Sequence, residues 1–337
     1  MRIGKIDLGD CPLFLAPMED VTYKSFRYMC KKFGADVLYT EFVSSDALVR
    51  DVKKTRQKLV LFDFDRPVAV QIYGHDAGLM EYAARIAAEA GPDFIDINLG
   101  CPVKKIVRRG AGAALLNDLP AMQRLVSGVV KAVNIPVTAK IRLGIDDGNK
   151  PTLEIVRRLQ DAGVAAVAIH GRTLEQRYTG KADWNAIAEV KNDPAILIPV
   201  IGNGDINEPV KAKKLFDSTH VDGLMIGRAA IGRPWIFREV SHFFKTGILL
   251  PPPALTEIAE NIREQLLINL EMKGNEYASV LMMRRHFARY FPGIPGFREM
   301  KIKLLQAASI GEVNQVLDLI IDRFENHTVD YCQTIEP

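Results

Sequence analysis

The chain lacks any apolar run near the roughly 18 residues that a membrane span requires, and its first ten residues, MRIGKIDLGD, carry no apolar core of an export signal. A membrane protein or an exported one is therefore not expected, and the cytoplasm is the expected compartment. Cysteine is sparse: Cys11, Cys30, Cys101 and Cys332 stand far apart with no C-x-x-C pair. That spacing suggests neither a zinc site nor a disulfide framework in a chain of 337 residues. Charge of one sign is also missing, since 44 Lys and Arg face 41 Asp and Glu, so nucleic-acid binding would need a local patch. No low-complexity tract is present. Nor does the first apolar run lead into a G-x-G-x-x-G turn; it leads into Ala16-Pro-Met-Glu-Asp20, which argues against an open dinucleotide-binding sheet.

What is present is a series of short, apolar, β-branched runs alternating with amphipathic stretches through about residue 245. The runs are Leu13 to Ala16, Val37 to Phe42, Val68 to Tyr73, Phe94 to Asn98, Val137 to Ile141, Ala165 to Ile169, Ile198 to Ile201 and Gly223 to Ile226. Near their ends stand Met18, Glu41, Gln71, Asn98, Lys140, His170, Asn203 and Gly227, 23 to 42 residues apart. Eight units of about 30 residues match a closed (β/α)8 barrel. Pro251-Pro252-Pro253 then interrupts the pattern, and helical periodicity takes over. The expected organisation is a barrel over 1–247, a spacer over 248–255 and a small helical bundle over 256–337.

In such a barrel the strand ends converge on one mouth, so these scattered residues are candidate site residues. Asn203-Gly204-Asp205 and Gly227-Arg228 follow strands seven and eight, where glycine lets backbone N–H groups approach a phosphate; they read equally as tight turns. Lys140 sets a cation in an apolar strand, where it needs a partner. His170 reads as a ligand-binding or a structural histidine, and the Gln71 and Asn98 amides suit either a uracil-like or flavin-like edge or a bond within the barrel. Cys101, on a Gly-Cys-Pro turn followed by Lys104 and Lys105, is a candidate acid or nucleophile. Farther on, Arg284, Arg285, Arg289, Arg298, Lys301 and Lys303 face one acid, Glu299, with Phe287, Tyr290, Phe291 and Phe297 interleaved. Two readings stand for this stretch: an RNA-contact face, or an amphipathic helix with solvated charge and buried rings.

Taken together the motifs resemble the flavin-dependent tRNA-dihydrouridine synthase family, bacterial type. The resemblance runs through Ala16-Pro-Met18, Phe26-Arg27, Thr40-Glu41, Gln71-Ile-Tyr-Gly74, Asp96-Ile-Asn-Leu-Gly-Cys-Pro102, Gly110-Ala-Gly-Ala113, Lys140-Ile-Arg142, His170-Gly-Arg-Thr173, Ala182-Asp-Trp184, Gly202-Asn-Gly-Asp205 and Gly227-Arg228. It implies a barrel that holds FMN, joined to a helical tRNA-binding domain, reducing the C5=C6 bond of selected uridines with NADPH and without a metal. By that likeness Pro17, Met18, Glu19, Gln71, Lys140, His170, Asn203, Gly204, Asp205, Gly227 and Arg228 hold FMN, and Cys101 donates the proton. Asn98, Arg142 and Arg172 lie at the uracil, while Arg284 and Arg285 meet the RNA. A departure is visible at Glu19-Asp20-Val-Thr22-Tyr23, where the family carries small residues and an aspartate. A monomer without an obligate protein partner is the simplest expectation. The competing expectations are a reductase of a free pyrimidine, like the dihydroorotate dehydrogenases, and an RNA-binding protein with a structural flavin.

Overall fold

A computed structural model describes residues 1–331; Cys332 and the last residues of the expected helical bundle lie outside the described residues. Eight parallel strands form the barrel: β1 (Leu13–Leu15), β2 (Leu38–Tyr39), β3 (Val68–Tyr73), β4 (Phe94–Leu99), β5 (Val137–Arg142), β6 (Ala166–His170), β7 (Val200–Asn203) and β8 (Gly223–Ile226). Neighbours pair in the order β1-β8-β7-β6-β5-β4-β3-β2, and a parallel bridge from Phe14 to Val37 closes the ring. The closed barrel expected from the spacing is the observed fold. An N-terminal hairpin, Arg2–Ile3 with Ile6–Asp7, was not expected; strands of two residues leave no alternation to read.

The inward positions set the character of each layer. At the hairpin end Ile3, Phe14, Val37, Ala69, Phe94, Ala166 and Ile201 form an apolar plug inside the barrel. Moving up in steps of two residues, so that side chains stay on the inner face, the sequence turns polar: Gln71, Asp96 and Thr138, then Asn98, Lys140, His170 and Asn203. Register fixes who meets whom, with Gln71 opposite Asp96, Asp96 opposite Thr138, Asn98 opposite Lys140, and Asn203 opposite His170. The outer faces of the strands pack against helices including α1 (Lys24–Lys32), α2 (Ala77–Glu89), α3 (Leu119–Ala132), α4 (Thr152–Asp161), α5 (Trp184–Lys191), α6 (Pro209–Thr219) and α7 (Ile236–Thr246) in one apolar core. Their starts are capped where the sequence allows, by Asp76 on α2, Asp118 on α3 and Asp183 on α5.

Beyond the proline stretch only helices follow among the described residues: α8 (Leu255–Lys273), α9 (Glu276–Phe287), α10 (Arg298–Gln306) and α11 (Ile310–Phe324). Their core includes Leu266, Phe287, Tyr290, Phe291, Phe297 and Phe324, and Met29 of α1, Phe33 just after it and Trp235 join it from the barrel side. The aromatic rings interleaved among the arginines are therefore interior. Phe287 and Tyr290 are 1% and 0% exposed, so they pack the bundle and are not placed to stack on bases. No helix of the described residues is long and apolar enough to cross a membrane.

Candidate active site at the barrel mouth

A cavity of about 360 Å³ opens where the strands end. Its walls include Pro17, Met18, Glu19, Asn98, Cys101, Lys140, Arg142, His170, Asn203, Gly204, Asp205, Gly227, Arg228 and Arg285. Fourteen of the seventeen expected site residues thus line one cavity. Gln71, Arg172 and Arg284 do not.

Gln71 lies outside this lining. It sits one layer below the mouth and is fully buried, with Nε2 donating to Asp96 Oδ2 (2.6 Å) and Oε1 accepting from Asn98 Nδ2 (2.8 Å). Both polar atoms of its amide have a partner inside the barrel. Arg172, expected at the uracil, instead forks onto Asp205 with bonds of 2.8 and 2.9 Å and donates to the carbonyls of Thr179 and Gly180. Arg284 is half-buried, and its Nε has no hydrogen-bond partner.

The turn that carries Cys101 is built from the strand below it. Asn98 Oδ1 accepts from the N–H groups of Gly100 (3.1 Å) and Cys101 (2.9 Å). Arg142 Nε donates to the Gly100 carbonyl at 2.7 Å, and its other bonds reach the carbonyls of Thr173 and Arg177. Gly112 lies so close that a side chain there would meet the Cys101 carbonyl at 3.0 Å, and Ala113 N–H donates to that same oxygen. The Gly110-Ala-Gly-Ala113 motif is thus a support for the turn. Burial pushes the Cys101 thiol above its ordinary value, with partial relief from the Val103 N–H and Arg142, so it carries its proton at neutral pH.

The same cavity is also lined by cations. Lys140 Nζ donates to Asn203 Oδ1 (3.0 Å), and Asn203 Nδ2 donates to the Met225 carbonyl (2.7 Å). Burial, with Arg142 nearby, lowers Lys140 to about 8, and burial holds His170 well below its usual range, so the imidazole is neutral. Gly204 lies at φ +126°, and a Cβ there would come within 2.7 Å of Ala182 Cβ. Trp184 Nε1 donates to the Gly204 carbonyl and Ala182 N–H to Asp205, which gives the Ala182-Asp-Trp184 motif its purpose. Asp205 spends its carboxylate on Arg172, Ala182 and Arg228, so it anchors the arginines and does not offer its oxygens to an anion. Glycine turns, a guanidinium and a buried lysine are a donor set that fits the phosphate and the electron-rich ring of a flavin nucleotide.

Sequence reasoning missed Tyr178. It lines the cavity with the Arg142 and Arg228 guanidinium carbons 5.6 and 5.0 Å from its ring centre. It lies in a loop after the His170-Gly-Arg-Thr173 turn, where no periodicity marks a direction. Phe42, Val103 and Asn207 also line the cavity and were not singled out.

The segment Glu19 to Tyr23 joins the barrel to the helices. Glu19 pairs with Lys58, Arg285 of α9 donates to the Glu19 carbonyl and to Asp20 Oδ2 (both 3.3 Å), and Tyr23 OH donates to the Met282 carbonyl (3.0 Å). Beside this seam runs a groove of about 960 Å³ whose walls include Lys24, Lys54, Lys58, Lys273, Leu281 and Arg285.

Residues 14–326 match the model of the family described as dihydrouridine synthase (Dus). The chain is 42% identical to tRNA-dihydrouridine synthase B of Pseudomonas aeruginosa over 301 residues, 89% of this chain and 90% of that protein. It is 43% identical to tRNA-dihydrouridine synthase B of Xanthomonas campestris pv. campestris over 86% of each chain. Among solved structures, histamine dehydrogenase from Rhizobium sp. 4-9 superposes with a TM-score of 0.57 at 11% identity, covering 94% of this chain and 64% of that one, a likeness of fold. By its family match, its relatives and the ordered motifs around the barrel mouth, the chain belongs to the dihydrouridine synthase family.

Proposed function

We propose that this flavin-dependent synthase reduces the C5=C6 bond of specific uridines in tRNA to 5,6-dihydrouridine, with FMN as the flavin and NADPH as the electron source. The observation that carries the reading is the Cys101 turn: a protonated thiol held by three separate supports on the wall of a cavity also lined by Lys140, Arg142 and Arg228. Bound FMN, once reduced, supplies the hydride for C6.

The chain's own part is to bind, orient and protonate. Asn203, Gly204, Gly227 and Arg228 form the phosphate end, with Asp205 holding the arginines there. Lys140, neutral His170, Pro17, Met18 and Glu19, which line the same cavity, would hold the rest of the flavin. Cys101 Sγ gives its proton to C5, and Asn98 and Arg142 keep the thiol in place while bordering the uracil. A group mostly protonated at neutral pH is what a general acid must be. A uridine reaching this depth has left its stack, at a cost of a few kcal/mol that contacts elsewhere offset. Arg285, at the rim of both the cavity and the neighbouring groove, supplies such a contact, and the helices from residue 256 onward extend the RNA-binding face. Cys11, Cys30 and Cys101 are all free thiols, which suits a monomer working in the reducing cytoplasm.

The test is anaerobic. The purified protein's flavin is reduced with NADPH, and its reoxidation is followed on adding unmodified tRNA, with free uridine as control. Fast reoxidation by tRNA alone is the expected result; reoxidation by free uridine at the same rate would make the chain a free-pyrimidine reductase, and none with either would overturn the enzymatic reading.

A further inference from the structure

Under the proton donor lies a chain of hydrogen bonds that the proposed chemistry does not itself use. Asp96, 0% exposed on the inner face of β4, accepts from Thr138 Oγ1 at Oδ1 and from Gln71 Nε2 at Oδ2, both at 2.6 Å. Gln71 Oε1 accepts from Asn98 Nδ2, and Asn98 Oδ1 accepts from the N–H groups of Gly100 and Cys101. Two side chains thus connect a buried carboxylate to the backbone of the acid.

The direction of this chain is set at its buried end. An ionised carboxylate only accepts, whereas an amide is a donor at one end and an acceptor at the other. Gln71 must therefore turn its NH₂ to Asp96 and its oxygen to Asn98. Asn98 must in turn offer NH₂ to Gln71 and its oxygen to the turn. Reverse Asn98 and its NH₂ faces the N–H of Cys101, leaving the turn unsupported; reverse Gln71 and its NH₂ opposes that of Asn98 while its oxygen meets the Asp96 carboxylate, a clash that only reversing Asn98 as well relieves on the upper side. Gln71 alone could not choose, since either of its orientations presents one donor and one acceptor.

We propose that Asp96 is a positioning residue for the proton donor: by fixing the orientation of Gln71 and hence of Asn98, it holds the Cys101 turn in the geometry that protonation of uracil requires. The proposal rests on the reductase reading of the same cavity. It also accounts for a charged residue in the middle of a barrel strand, where a hydrophobic or neutral polar side chain would avoid the cost of burial.

The experiment compares wild type, D96N and the double variant Q71E/D96N, each loaded with FMN. D96N is nearly isosteric but gives Gln71 no fixed direction. The double variant puts the acceptor-only group at 71, where it takes bonds from residue 96 and from Asn98 Nδ2, so Asn98 stays correctly turned. Expected for D96N is a fall of roughly 10- to 100-fold in single-turnover tRNA reduction, the size of effect that misplacing a reacting group produces. Flavin reduction by NADPH and KM for tRNA should be retained, and turnover should recover in the double variant. Should D96N fail to fold, the double variant, which keeps the pair's charge and volume, decides by itself. Turnover of D96N equal to wild type, or a double variant that folds, holds FMN and stays slow, would overturn the assignment. A second readout does not depend on RNA: the alkylation rate of Cys101 by iodoacetamide, followed on its own peptide, should change in D96N and return in the double variant. If wild type reduces no tRNA while the alkylation rates still follow the substitutions, the functional reading fails and the positioning role stands; unchanged rates would remove the role.

Discussion

The floor of the barrel mouth and the seam to the helices both gather charged residues around the same cavity, yet they are built on opposite terms. On the floor, Asp96, Gln71, Asn98, Lys140 and Asn203 are all below a tenth exposed or only partly open, and each polar atom in the chain has a named partner at 2.6 to 3.1 Å. At the seam, Arg285 and Asp20 are 58% and 69% exposed and meet at 3.3 Å. Buried hydrogen bonds are costly to break because the orphaned group cannot turn to water, whereas an exposed pair exchanges partners for little. The floor is suited to hold one geometry and the seam to admit a large ligand.

The largest effect should come from removing the group that the floor exists to hold. Cys101→Ala is expected to lower tRNA reduction by about 10²- to 10⁴-fold, the usual contribution of a positioned acid, with tRNA binding and FMN content kept. Rapid-quench turnover beside a filter-binding titration measures both. Unchanged turnover would take Cys101 out of the mechanism and leave the floor as a structural core.

Next comes the pH dependence of stability that burial imposes on the floor. Burial raises Asp96 from 3.8 to about 6, with the Gln71 and Thr138 bonds pulling the other way. Between these values the folded protein keeps a proton that the unfolded chain has released, so Asp96's contribution is fully present below 3.8 and is lost as pH rises to about 6. Thermal melts at pH 4 and pH 6.5 should show this proton-linked slope in wild type and a flatter one in D96N, and identical slopes would mean that Asp96 does not change its protonation between the states in this range.

How far these two regions could be read from sequence differs for a physical reason. Strand-end residues were legible because a barrel forces them to one mouth, and the order from Ala16-Pro-Met18 to Gly227-Arg228 is held by register. Depth was not legible. Gln71 and Asn98 both stand near the ends of apolar runs, but pairing sets Gln71 opposite Asp96 and Asn98 opposite Lys140, one inward layer higher, or two residues of about 3.3 Å each. A shift of that size separates a residue that touches a ligand from one that supports it. In the helices, periodicity showed that rings and arginines share a segment but not which of them faced the bundle. The seam was hidden altogether, because Asp20 and Arg285 are 265 residues apart in sequence.

A smaller effect should separate the two arginines. Arg285 is exposed at the rim, so Arg285→Glu is expected to weaken tRNA binding by about tenfold and to reduce the salt slope by about 0.7 to 0.9 per lost phosphate contact, leaving FMN in place. Arg284 is half-buried with Nε unpartnered, so Arg284→Ala should alter the melting temperature and leave the salt slope as it was. Titrations at several salt concentrations decide this, and equal slopes for wild type and Arg285→Glu would place the RNA elsewhere on the surface.

The smallest effect should come from Asp20, where the departure from the family pattern meets the helices. Its backbone sits at φ +55°, a conformation that asparagine also adopts readily, so Asp20→Asn changes the charge without straining the turn. The Asp20–Arg285 pair, being so exposed, is worth no more than about 1 kcal/mol, and its loss should leave thermal stability unchanged. It also frees Arg285 from an anion that competes with phosphate, so tRNA affinity should rise, by no more than about fivefold, since 1 kcal/mol corresponds to roughly that ratio. A gain far above that would show the pair acting as a latch across the seam. A loss would mean that Arg285 needs Asp20 to be aimed at its ligand, and the seam would then be organised on the same terms as the floor.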